Sequence, residues 1–214
     1  MQRGKFISFE GSEGCGKSTQ IRRFVDWLRG TGREVLVTRE PGGTGVGEKI
    51  RHLLQHDPEG AALTAESELL LFAASRAQLV REVIRPALDR GVWVVADRFL
   101  DSTTVYQGVG RGLDREAVRH INAFAVGSAL PELTFLLDLD AAIGHARAVA
   151  ASGDQHDRME SEPLAFFESV RRGYLALAAA EPGRIAVIDA SASIDEVFAA
   201  LVRTFEARFA IATA

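Results

Sequence analysis

Residues 9–20 read FEGSEGCGKSTQ, and within them Gly11, Gly16, Lys17 and Ser18 fit the phosphate-loop spacing G-x-x-x-x-G-K-[ST]. Glycines let successive backbone N–H groups turn toward an anion, and a helix that follows adds its positive N-terminal end. In this pattern Gly11, Ser12, Glu13, Gly14, Cys15, Gly16, Lys17, Ser18 and Thr19 would surround the phosphates of a nucleotide. Lys17 would reach the β- and γ-phosphates, and the Ser18 hydroxyl would be a ligand for Mg²⁺. The apolar run at residues 6–9 leads straight into the loop and an amphipathic pattern starts at Lys17, so the loop joins a strand to a helix. Glu13 stands out, because it puts a carboxylate inside an anion-binding turn. Its side chain need not enter the cradle, since the backbone forms it. Cys15 reads as a small side chain without a redox role.

Outward from the loop, short runs rich in Val, Ile, Leu and Phe at residues 5–9, 34–38, 92–96, 133–138 and 185–189 read as strands buried on both faces. Helical patterns fall between and after them, at residues 17–29, 45–54, 66–89, 114–126, 141–151, 163–180 and 194–209. Such alternation predicts an α/β fold, a mostly parallel sheet with helices on both faces. Ligands of these sheets gather outside the carboxyl ends of the strands. The phosphate loop, the segment after Thr38 and the segment after Ala96 should therefore meet at one rim. No linker divides the chain, and 214 residues suit one domain spanning residues 1–214.

A hydrophobic content of 47% with 25% charged residues is ordinary for a soluble globular protein. The net charge of −4 argues against broad electrostatic capture of nucleic acid, which needs a basic face. No apolar run approaches the ~20 residues of a membrane span. The start MQRGKFISFE lacks the long apolar core of a signal peptide. One cysteine excludes an intramolecular disulfide and a cysteine-based metal cluster, and it fits a reducing, cytoplasmic setting.

A phosphate loop alone does not choose among GTPases, ATPases, motors and kinases. Nothing here reads as the N-K-x-D guanine motif. WVVADR, residues 93–98, ends a strand on Asp97, which can organise Mg²⁺ through water, beside Arg98, which can fork onto a phosphate. A structural ion pair at a strand end would read the same. TREPGGTGVGEKIR, residues 38–51, is a Gly-Pro turn opening a helix, and Glu40, Pro41 and Arg51 matter only through the place the strand end gives them. Phe72 and Arg76, at i and i+4, put a ring and a guanidinium on one helical face. That pair suits stacking on a base and donating to its carbonyl, although a core Phe beside a solvated Arg has the same spacing.

Together these segments resemble the thymidylate kinase, or dTMP kinase, family over essentially the whole chain. The resemblance rests on FEGSEGCGKST, TREPGGT, LLLFAASRAQ, the Asp97–Arg98–Phe99 motif, STTVYQGVGRG at residues 102–112 and HDRME at residues 156–160. It implies the nucleoside-monophosphate-kinase variant of the phosphate-loop fold, a five-stranded parallel sheet with a mobile lid at about residues 144–160. The implied reaction carries a phosphoryl group from ATP to dTMP, giving ADP and dTDP for dTTP synthesis, with Mg²⁺, in a bacterial-type cytoplasmic homodimer. The long apolar helix at residues 66–89 could contribute to the dimer interface.

By position, the resemblance makes Arg98 the clamp on the acceptor phosphate, Phe72 the ring stacked on thymine and Arg76 a donor to a thymine carbonyl. Ser102 and Thr103 fall where the base edge is read, Tyr106 where deoxyribose is favoured, and Gln107 beside the base. Glu40, Pro41 and Arg51 line the acceptor pocket, and Glu13 approaches the acceptor sugar and the Mg²⁺ region. Arg147 and Arg158 are the candidate lid arginines on the ATP phosphates, so Lys17, Arg98, Arg158 and Glu13 form the implied catalytic set. His145 and His156 read as surface residues rather than ligands. Phe99 stands where many relatives carry Tyr or His. A kinase for UMP, CMP or AMP, and a phosphate-loop ATPase or switch without a small acceptor, are the other readings.

Overall fold

Every apolar run forms a strand: β1 (Phe6–Glu10), β2 (Val35–Arg39), β3 (Trp93–Asp97), β4 (Leu133–Asp138) and β5 (Ile185–Asp189). They are seen in a computed structural model that describes residues 3–152, 158–159 and 162–209. Among the described residues the sheet has five strands, all parallel, in the order β2-β3-β1-β4-β5. The first three strands lie one residue later than the apolar pattern predicts. Their last residues are polar but still join the ladder, Arg39 opposite Asp97 and Glu10 opposite Leu136. Three charged side chains are thereby fixed at the carboxyl rim of the sheet.

The helices are α1 (Lys17–Gly30), α2 (Gly45–Gln55), α3 (Ala65–Leu79), α4 (Arg85–Asp89), α5 (Leu100–Thr103), α6 (Arg115–Val126), α7 (Ala141–Ser152), α8 (Leu164–Ala180) and α9 (Ile194–Phe209). The predicted single helix over residues 66–89 is two helices, α3 and α4, joined by a π-helical stretch at Val80–Ile84. Pro86 gives the reason, since it has no N–H and its ring crowds the carbonyl four residues back. A second π-helical stretch, Thr104–Gly110, extends α5, where sequence patterning predicts no helix. Local caps set other starts: Gly47 N–H donates to Thr44 Oγ1 at 2.9 Å in α2, and Ala117 N–H to Asp114 Oδ1 at 2.8 Å in α6.

The central strand β1 sorts its side chains between two layers. Ile7 and Phe9 pack with Phe24 and Leu28 of α1 and Leu201 and Phe205 of α9. Phe6 faces the other layer, with Leu79, Ile84 and Phe99. Each such fully buried side chain stabilises the fold by about 1.5–3 kcal/mol. Ser8 and Glu10 share the parity of Phe6, so the same face turns polar toward the rim. Ser8 Oγ meets Thr134 Oγ1 at 2.7 Å, and Arg184 holds Asp101 through two bonds of 2.7 Å, anchoring α5 beneath the rim.

Candidate active site

The loop between β1 and α1 turns on glycines in the left-handed region, with φ of 68° at Gly14 and 89° at Gly16. Gly16 caps α1 with no side-chain acceptor, so the first N–H groups of the helix are available to an anion. Gly14 has a second requirement: a Cβ there would lie 2.1 Å from the Gly144 carbonyl oxygen of α7. Conversely, a Cβ at Gly144 would lie 2.6 Å from the Glu13 carbonyl oxygen. Two facing glycines thus let α7 touch the loop backbone and carry exposed Arg147 beside it.

Lys17 Nζ donates to the Gly11 and Ser12 carbonyl oxygens at 3.0 and 2.8 Å, which holds the ammonium against the loop. Cys15 is buried in the core and contributes no exposed thiol. Ser18 and Asp97 open onto one cavity on the β2 side of the loop. A hydroxyl and a carboxylate there fit Mg²⁺, which binds few protein oxygens and completes its shell with phosphate oxygens and water. Among the described residues no group of three His, Cys, Asp or Glu could hold a metal ion.

The structure resolves the misplaced charge of Glu13. Its carboxylate accepts from Arg98 Nη2 at 2.6 Å and from the Tyr106 hydroxyl at 2.6 Å, so two side chains beyond the loop offset its charge. Burial opposes its ionisation, but Arg98, Lys17 and the Tyr106 bond outweigh burial and hold the carboxyl below its ordinary value. Arg98 is the junction of the site. Its backbone adopts φ 65°, a left-handed conformation uncommon for a residue with a Cβ. Its Nη1 donates to Gly11 O at 3.0 Å and to Ser102 Oγ at 3.2 Å, and its guanidinium lies over the Tyr106 ring at 5.2 Å.

Across Arg98 from the loop lies a cavity lined by Glu40, Pro41, Phe72, Arg76, Ser102, Thr103, Tyr106 and Gln107, with Glu13 and Arg98 at its phosphate-loop end. Residues predicted from five separate stretches therefore meet around one space. Arg51 is not in its wall but donates to the Pro41 carbonyl oxygen at 3.1 Å. Arg76, 1% exposed, is not the solvated arginine its spacing allowed. It donates to Glu40 Oε2 from Nε at 2.8 Å, to Asn122 Oδ1 at 2.8 Å and to Thr103 Oγ1 at 2.9 Å. Burial pushes the Glu40 carboxyl up to about 7 despite Arg76, and its Oε1 has no partner among the described residues.

Three features of the site escaped sequence reasoning. Glu10, at the end of β1, accepts from Phe99 N–H at 2.8 Å, Ser102 Oγ at 2.6 Å and the Tyr174 hydroxyl at 2.8 Å. It therefore caps α5 from another element and fixes the turn carrying Arg98. Burial and nearby Asp101 push its carboxyl up to about 7, with Arg98 and its hydrogen bonds opposing. The second is Glu68, which accepts from Gln107 and Arg111. The third is the position of Arg158, whose Nη2 donates to Glu68 at 2.5 Å and whose Nε donates to Leu54 O at 3.0 Å. Arg158 thus sits beside the far wall of the cavity rather than on the phosphate loop. Met159 lines that wall together with Gln55 and Phe99. His145 is half-buried, its ring 5.3 Å from that of Phe167, while His156 and Glu160 lie outside the described residues. The nonpolar Phe99 packs edge-on against Phe6 at 4.8 Å and is fully buried.

The family model described as Thymidylate kinase matches residues 9–201. A thymidylate kinase of Lactobacillus delbrueckii subsp. bulgaricus is 49% identical over 207 residues, covering 96% of this chain and 97% of the relative. One of Chlorobium luteolum is 48% identical over 213 residues, covering 95% and 97%. The crystal structure of thymidylate kinase from Ehrlichia chaffeensis superposes with a TM-score of 0.74 at 32% identity, covering 95% of this chain and 99% of that one. The fold is the nucleoside-monophosphate-kinase form of the phosphate-loop architecture. On sequence and on structure alike, the chain belongs to the thymidylate kinase family.

Proposed function

We propose that the chain transfers the γ-phosphoryl group of ATP to dTMP, giving ADP and dTDP. One observation carries the reading: Arg98 bonds both to the phosphate loop at Gly11 and to Glu13 and Ser102 in the wall of the neighbouring cavity. A donor phosphate on the loop and an acceptor phosphate in the cavity would share this guanidinium.

The loop N–H groups and Lys17 receive the ATP phosphates, and Phe72, Arg76, Thr103 and Gln107 receive the pyrimidine. Tyr106, held by Glu13, stands against the sugar. The acceptor phosphate is largely dianionic at neutral pH because its second pKa is ~6, so no general base is required. The barrier is the approach of two anions, and Lys17 and Arg98 lower it by fixed positive charge at the transferring group. Ser18 and Asp97, the latter through water, would hold a Mg²⁺ with the nucleotide, and that ion would supply charge neutralisation of the phosphates. Arg147, on the helix touching the loop, is placed to add a further cation. Arg158 reaches the phosphates only if the segment at about residues 144–160 closes as a lid and releases Glu68.

We read residues 1–214 as one catalytic domain that pairs into a homodimer. Leu70 and Phe124, 56% and 80% exposed on the packed helices α3 and α6, support an interface there. Among the described residues no helix is long and apolar enough to cross a membrane, and we place the reaction in the cytoplasm. The test is a coupled assay with Mg²⁺-ATP offering dTMP, dUMP, UMP, CMP and AMP in parallel. dTMP is expected to give the highest kcat/KM, and an equal or better alternative acceptor would overturn the reading.

A further inference from the structure

Gln107 is 1% exposed and lines the acceptor cavity, yet its carboxamide is not free to turn. Its Nε2 donates to Glu68 Oε1 at 2.8 Å. An ionised carboxylate only accepts, so it takes the NH₂ end of the amide and no other. Glu68 is held ionised: burial opposes this, but the bonds from Gln107, Arg158 and Arg111 outweigh burial and keep its carboxyl below the ordinary range. Arg111 donates to Glu68 at 3.2 and 3.3 Å, and Arg158 at 2.5 Å. Among the described residues no donor meets Gln107 Oε1, so the acceptor end of the amide is the one left for a ligand.

We propose that Glu68 is a specificity-determining positioning residue: by fixing the Gln107 carboxamide with its oxygen toward the cavity, it selects a base that presents N3–H. The inference rests on the function proposed above and concerns the same cavity. Thymine and uracil carry a hydrogen on N3. Cytosine presents a bare N3 and would meet Gln107 Oε1 acceptor to acceptor, leaving both unpaired in a buried site. Glu68 itself does not touch the base. Because Arg158 shares the carboxylate, the stretch that carries Arg158 is tied to the group that holds the base reader. Arg111 extends the tie to Glu162 at 2.6 Å.

The test compares dTMP and dCMP as acceptors for the full chain and its Glu68→Gln and Glu68→Asp variants, with thermal melts as a check on folding. Glu68→Gln keeps the shape but can donate or accept, so it no longer dictates which end of the Gln107 amide faces the base. The ratio of kcat/KM for dTMP over dCMP is expected to fall at least ~10-fold, since one mispaired buried contact carries about that discrimination. Glu68→Asp keeps an acceptor of fixed sign and is expected to recover most of the ratio. A ratio in Glu68→Gln within ~2-fold of the parent, or no recovery in Glu68→Asp, would overturn the role of Glu68. If Glu68→Gln does not fold, the parent protein answers by NMR: a Gln107 side-chain NH₂ protected from solvent exchange is expected, and free exchange overturns the proposal. A parent protein that does not prefer dTMP to dCMP would instead refute the proposed function, so the two failures are distinct.

Discussion

Replacing Glu10 with Gln isolates the energetic oddity of the site, a carboxyl buried beside Arg98 with its pKa near neutrality. The substituted amide keeps the shape. Its oxygen can still accept from Phe99 and Ser102 N–H, and its NH₂ can donate to the Ser102 and Tyr174 hydroxyls once these rotate. Hydrogen bonding is therefore nearly conserved while the charge is removed. In the parent the carboxyl is raised from 4.5 to about 7, so the folded state holds its proton more tightly than the unfolded state. Its stabilising contribution is complete below pH 4.5 and is lost as pH rises through 7. Between about pH 5 and about pH 8 that loss is on the order of 2–3 kcal/mol. Glu40, also raised to about 7, adds a loss in the same window. Urea denaturation at the two pH values reads the difference: Glu10→Gln should show a decline smaller than the parent's by on the order of 2–3 kcal/mol. An identical decline in both proteins would refute the claim that burial of Glu10 raises its pKa.

The neighbouring contacts yield further expectations. Arg76→Met leaves Glu40 buried without its partner and should destabilise the fold by about 3–5 kcal/mol, less at pH 6 than at pH 8 because Glu40 can then hold a proton. Equal losses at both pH values by denaturation would contradict this. Gly144→Ala sets a methyl 2.6 Å from the Glu13 carbonyl oxygen, so kcat should fall ~10-fold or more through displacement of the loop, while Tm changes little. An unchanged kcat would show that α7 and the loop can separate freely. Tyr106→Phe removes a donor that holds the Glu13 carboxyl down, so the acid limb of the kcat/KM profile for dTMP should move to higher pH. A limb that stays in place would exclude Glu13 as the group responsible.

The fold was legible because its strands are short, continuous apolar runs between helical periodicities, and that pattern admits few architectures. The phosphate loop was legible because glycine spacing is itself the mechanism. Residues 100–110 were not, since Thr103, Thr104, Val105 and two glycines make a poor helix on propensity alone. Tertiary contacts decide there: Glu10 caps the segment, Arg184 ties down Asp101, and Val105 and Tyr106 pack on α8. The deep burial of Arg76 and the role of Glu68 escaped for a related reason. Each looks like a surface charge on α3, and only partners 23 to 90 residues away make them buried junctions. Position alone put Arg158 with the ATP phosphates; its ion pair with Glu68, the partner of Gln107, puts it on the other side of the cavity from the phosphate loop.

The central claim is that a phosphate on the loop and a phosphate in the cavity meet across Arg98. The direct measurement follows label from [γ-³²P]ATP with and without dTMP, in the parent and in Lys17→Ala. The account predicts label in dTDP, formed only with dTMP, and a transfer rate reduced ~100-fold or more without the Lys17 ammonium. Label released as inorganic phosphate at the same rate whether or not dTMP is present would contradict it.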